Sequence, residues 1–106
     1  SVQKLRADVL VRLARNLRLS GKDDEAGPML RDVEELVRRY QLPGERVKLQ
    51  AELAEQQESL GDLRAAAMAW GLAAQAALEA GDLPMERSCR ERRGRLTGGK
   101  SESPSA

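Results

Sequence analysis

Leucine and valine recur every fourth position near the start of the chain, at Leu5, Val9, Leu13 and Leu17, with Leu10 and Ala14 beside them. Positions three and four apart share one face of a helix. The pattern therefore predicts a first helix over residues 2–19, with that stripe turned inward. Ser20-Gly21-Lys22 ends it, Gly21 being suited to the left-handed residue that closes many helices. A second stripe, Ala26, Met29, Leu30, Val33, Leu36 and Val37, predicts a second helix from Asp23 or Asp24 to Tyr40. Its ends agree with the helix dipole, since Asp23, Asp24 and Glu25 stand at the positive start and Arg38 and Arg39 at the negative end.

Gln41-Leu42-Pro43-Gly44 reads as a connector. A third helix is predicted over 45–60, with Leu49, Leu53, Ala54 and Leu60 inward and Gln56 and Gln57 interrupting the stripe. Gly61-Asp62 is a tight turn whose aspartate suits an N-cap. An alanine-dense fourth helix follows over 63–80, and Gly81-Asp82 repeats the punctuation. Pro84 fits a first helical turn, and a fifth helix runs over 84–96. Thr97-Gly98-Gly99 ends the pattern, so 98–106 reads as a disordered tail. The helical domain is then 1–97, made of hairpins 2–40 and 45–80 and the fifth helix. The pattern starts at once, at Ser1-Val2-Gln3, and reads as a piece of a longer protein.

Composition favours helices over strands. The chain has no Phe, and its only aromatics are Tyr40 and Trp70, so Leu, Val, Ala and Met must build the core. Ala, Leu, Arg and Glu are strong helix formers, whereas strands favour aromatic and β-branched residues. At 106 residues there is room for one modest core.

Sliding the chain by forty residues superposes Leu13 on Leu53, Ala14 on Ala54, Gly21 on Gly61, Ala26 on Ala66 and Leu30 on Trp70. These are core and turn positions, which a structural repeat preserves. Small residues at 14 and 26, and at 54 and 66, let paired helices approach. Large ones at 30 and 70 fill the space between neighbours. Trp70 is accordingly expected to be buried between the second and fourth helices, and Gly21 and Gly61 to occupy equivalent turns, at least one of them with positive φ. The pattern resembles the tetratricopeptide repeat, through Leu13-Ala14, Gly21 and Ala26 in one unit and Leu53-Ala54, Gly61-Asp62-Leu63, Ala66, Trp70 and Ala73 in the next. Ala80-Gly81-Asp82-Leu83 looks like the turn of a further, degenerate unit. The resemblance implies a concave wall lined by the first and third helices. The family's clamp for C-terminal carboxylates uses Lys and Asn at set positions. Val11, Arg15 and Glu52 stand at three of them here, so that activity is not implied.

Little in the sequence suggests catalysis. There is no His, the commonest general base and metal ligand. Zinc would need several Cys or His ligands, and Cys89 is the only cysteine. No glycine-rich phosphate-binding loop is present, and Ser20, Ser59 and Ser88 have no partner base in a known motif. No catalytic, cofactor or metal residue is assigned. Arg87, Arg90, Arg92 and Arg93 around Cys89 could activate its thiol, but Met85, Cys89 and Leu96 share a helical face, which favours a packing role.

Charge is balanced overall, at +1, but uneven along the chain. The first helix carries Lys4, Arg6, Arg12, Arg15 and Arg18 against Asp8. The third carries Glu45, Glu52, Glu55 and Glu58 against Arg46 and Lys48. The fifth carries five arginines against Glu86 and Glu91. If the first and third helices share a wall, Arg15 should face Glu55 and Arg18 should face Glu58. The candidate binding residues are thus Arg15, Arg18, Glu55 and Glu58, with Arg90 and Arg93 on the fifth helix. No apolar run approaches the roughly 20 residues of a membrane span, and no signal peptide is visible. One cysteine excludes an internal disulfide and is compatible with a reducing compartment.

These readings give an all-α chain of antiparallel helical hairpins, stacked as a short solenoid of about five helices. The expected role is a non-enzymatic, intracellular, cytoplasmic interaction scaffold or adaptor, needing no cofactor and binding another protein or a peptide rather than a membrane. The alternatives are contact with nucleic acid through the arginine-rich fifth helix, and self-association through an apolar end of the stack.

Overall fold

Glycines close three of the helices, and aspartates cap the starts of two. In the computed structural model, which describes residues 1–98, the chain forms α1 (Val2–Leu19), α2 (Asp23–Tyr40), α3 (Pro43–Ser59), α4 (Leu63–Glu79) and α5 (Leu83–Leu96), with no strand among the described residues. From residue 99 onward, the tail expected at 98–106 lies outside the described residues.

Three helix ends are closed the same way. Gly21, Gly61 and Gly81 have φ of 77°, 81° and 77°. Each donates its N–H to the carbonyl three residues back, and the next residue donates to the carbonyl five back: Lys22 to Leu17, Asp62 to Gln57, Asp82 to Ala77. This paired closure satisfies carbonyls that a helix end leaves open. Between the first two glycines, at the same twenty-residue spacing, Gln41 also takes a left-handed φ of 50°. Asp62 and Asp82 then cap the following helices, accepting from Ala65 N and Met85 N at 3.1 Å each. The third helix starts at Pro43 rather than residue 45, because the proline serves the first turn, where its missing N–H costs nothing. The fourth ends at Glu79, with Ala80 as its cap.

Packing runs in chain order. α1 contacts α2 and α3, α2 contacts α3, α3 contacts α4, and α4 contacts α5, giving a stack from the α1–α2 end to α5. The first core joins Ala7, Ala14, Ala26, Leu30, Val33, Leu36, Val37 and Leu49, as the second-helix stripe predicted. The second joins Ala54, Ala69, Trp70, Ala73, Ala74 and Cys89. Leu53 packs on both and links them. Alanine dominates α4, where Ala66, Ala73, Ala74 and Ala77 are fully covered, so its neighbours approach closely.

Three expectations about the core are corrected. In α1 the inward face is Ala7, Leu10, Val11, Ala14 and Leu17, while Leu5 (64% exposed), Val9 and Leu13 (43% each) face outward. Strict four-residue spacing drifts by about 40° per step on a helix of 3.6 residues per turn, so one such row cannot stay on the core side. Leu60 caps α3 and is exposed, not inward. Trp70 is buried as expected, but among α3, α4 and α5 rather than between α2 and α4.

Candidate interaction groove

α1 and α3 lie side by side, and the hollow between them is a groove of about 300 Å³. Val11, Ala51 and Met85, the last from α5, contribute its apolar surface. Asp8, Arg12, Arg15, Arg18, Lys48, Glu52 and Glu55 contribute its charges. The wall shared by the first and third helices is therefore present, with α5 joining its edge.

The charges do not pair as expected. Arg18 meets Glu52, not Glu58: Nε donates to Oε2 at 2.6 Å and Nη2 to Oε1 at 3.3 Å, and both side chains are largely covered. Glu55 meets Arg92 of α5 at 3.1 Å instead of Arg15. Glu58 accepts from Trp70 Nε1 at 2.6 Å and lies 3.6 Å from Arg92. A pair not foreseen, Lys48 with Asp8, closes at 2.8 Å, and Lys48 also reaches the buried Glu45 at 3.4 Å. Residues forty apart were expected to face one another, and Asp8 and Lys48 do. Arg18 and Glu52 are thirty-four apart. Long helical side chains lean toward the N-terminus of their own helix, which takes Arg18 back to Glu52.

These contacts shift the ionisation of the groups that make them. The Glu52 hydrogen bond raises the Arg18 pKa against the opposing effect of burial. The Asp8 hydrogen bond does the same for Lys48. Burial works to raise the Asp8 carboxyl, but hydrogen bonds with Lys48 and Glu45 and the charges of Lys48 and Lys4 hold it below its ordinary value. The groove is thus tied across its middle by ion pairs that belong to the fold. Arg12 and Arg15 are exposed on its α1 rim and make no salt bridge among the described residues.

On α5, Arg90 is held by Glu86 at 2.6 Å, and Arg92 lies over the Trp70 ring, 4.3 Å from its centroid. Arg93 runs beside Gly71 of α4, where a Cβ would come within 3.3 Å of its Nη1. Sequence reasoning thus missed Glu52, Lys48, Asp8 and Arg92 as the pairing partners. The Asp8–Lys48 pair was within reach, since the two residues stand at forty-residue equivalents. Cys89 is buried with the alanines of α4, and desolvation raises its thiol pKa more than Arg92 lowers it. The arginines around it do not activate it.

A wider hollow of about 820 Å³ lies between α2 and α3, with charges of both signs on its walls, at Arg31, Glu34, Glu35, Arg38 and Arg46. It contains none of the candidate binding residues named from the sequence. Among the described residues no helix is long and apolar enough to cross a membrane. No protein-family model matches the chain, and no curated protein or solved structure matches it either.

Proposed function

We propose that this chain is a non-enzymatic interaction scaffold whose α1–α3 groove binds an extended acidic peptide of another protein. The observation that carries the reading is the rim of the groove, where Arg12 and Arg15 stand exposed, without salt bridges among the described residues, beside the apolar Val11, Ala51 and Met85. An acidic side chain can pair with the rim while an apolar neighbour settles on the floor. Arg18, Glu55 and Glu58, proposed from the sequence as binding residues, act instead in holding α1, α3 and α5 together, and the binding role falls to Arg15 with Arg12. The resemblance to tetratricopeptide units supports the same reading, and the recurring Gly21, Gly61 and Gly81 turns fit it. An intracellular, cytoplasmic setting belongs to the proposal, with the lone, buried Cys89 as its support.

The test is a peptide array probed with the purified chain. Selection of peptides that alternate Asp or Glu with Leu or Val is expected, and Arg12→Glu with Arg15→Glu should shift selection to basic peptides. Equal binding to acidic and basic peptides by the unaltered chain would refute it.

A further inference from the structure

The two ends of the stack differ. At the far end, α5 turns out a polar surface that includes Glu86, Arg87, Arg90 and Glu91, as a terminal cap of a helical stack requires. At the near end, α1 turns Val2, Leu5, Val9 and Leu13 to solvent, with exposures of 76%, 64%, 43% and 43%. Their spacing of three, four and four places them in one row about three turns long.

The fold itself indicates what covers such a row. Forty residues on, Val9 and Leu13 correspond to Leu49 and Leu53 of α3. Leu49 is 2% exposed and joins the core made by Leu30, Val33, Leu36 and Val37 of α2, while Leu53 packs against it. The face that α3 buries against a helix with a Leu/Val stripe is the face that α1 leaves open. Charge narrows the partner further. Arg6 and Arg12 lie about 60° to either side of Val9 on the helix, and neither makes a salt bridge among the described residues. Two copies of this face would bring those arginines together, and like charges side by side oppose pairing.

We propose that the outer face of α1 is a docking site for an amphipathic helix of another protein, with a Leu/Val stripe at three- and four-residue spacing and acidic flanks. It lies on the opposite side of α1 from the groove residues Val11 and Arg18 and goes beyond the peptide-binding reading.

Two labelled 18-residue helical peptides test it, both with a Leu stripe, one flanked by Glu and one by Lys. Fluorescence anisotropy should show the Glu peptide bound at least tenfold more tightly. Leu5→Gln with Val9→Gln should weaken that binding at least tenfold, and Arg6→Glu, which lies outside the groove, should remove the preference for Glu flanks. Circular dichroism of each variant should stay helical, since all three positions are exposed. Arg15→Glu, confined to the groove, should leave the Glu peptide bound within threefold, which separates this site from the groove. The proposal is overturned if both peptides bind alike, or if the Gln variant binds undiminished. It is also overturned if sedimentation shows a dimer that the Gln variant dissolves, or if the chain binds phosphatidylcholine–phosphatidylserine vesicles through this face but neither peptide.

Discussion

Arg92 of α5 lies over the indole of Trp70, with its guanidinium carbon 4.3 Å from the ring centroid. The same guanidinium reaches Glu55 and Glu58, and Glu58 in turn accepts from the indole N–H. This cluster joins α3, α4 and α5. Trp70→Ala should therefore cost roughly 3–5 kcal/mol, as removal of a large core side chain does. Arg92→Ala should cost less, about 1–2 kcal/mol, through the loss of a cation–π contact and partly exposed ion pairs. Urea unfolding followed by circular dichroism checks both, and because Trp70 is the only tryptophan its native emission should be blue-shifted.

The Arg18–Glu52 pair should matter for folding far more than its neighbours. Both partners are largely covered, so Arg18→Ala leaves a carboxylate without compensation and should cost about 3–5 kcal/mol. Arg15→Ala, on the exposed rim, should change stability by less than about 0.5 kcal/mol. A double-mutant cycle with Glu52→Gln separates pairing from packing.

The left-handed residues predict two effects of opposite sign. Gly61→Ala puts a side chain at φ 81° and should destabilise by about 1–2 kcal/mol. Gln41 already bears that strain at φ 50°, so Gln41→Gly should stabilise the chain by up to about 1 kcal/mol. Thermal melts of the two variants are enough to decide.

Much of the fold was legible because the turns are written in the sequence. Gly-Asp at 61–62 and 81–82 fixes both a helix end and the next N-cap with two residues, and α2 carries a broad, unambiguous stripe. The α1 core face was misread because α1 has two apolar rows, and sequence alone does not say which row has a neighbour. The small Ala7 and Ala14 mark the packed one. The groove was legible as a place but not as a set of pairs. Equivalent positions share a wall, yet which charge meets which depends on how far each side chain leans along its helix. Trp70 was misplaced because its neighbours also move by forty residues: Leu30 packs among α1, α2 and α3, so its equivalent packs among α3, α4 and α5.

Two of the shifted groups predict how stability depends on pH. The Asp8 carboxyl is lowered in the fold, so its stabilising contribution is present above the unfolded value of about 3.9 and is lost as pH falls through the lower folded value. The Cys89 thiol is raised by burial, so its contribution is full below about pH 8.5 and is lost as pH rises through the higher folded value. Cys89→Ala should flatten the alkaline side of a stability–pH curve, and Asp8→Asn the acid side. Native Cys89 should also react with iodoacetamide more slowly than the urea-unfolded chain.

The central claim is that Arg12 and Arg15 receive an acidic peptide while the paired charges beneath them hold the fold. The direct measurement is an anisotropy titration of a labelled, extended Asp–Leu peptide against the unaltered chain and the Arg12→Glu, Arg15→Glu variant, at rising salt. Binding should weaken by roughly tenfold in the variant, with its helical spectrum unchanged, and the difference should shrink as salt screens the exposed charges. Undiminished binding by the variant, or no binding by the unaltered chain at low salt, would contradict the account.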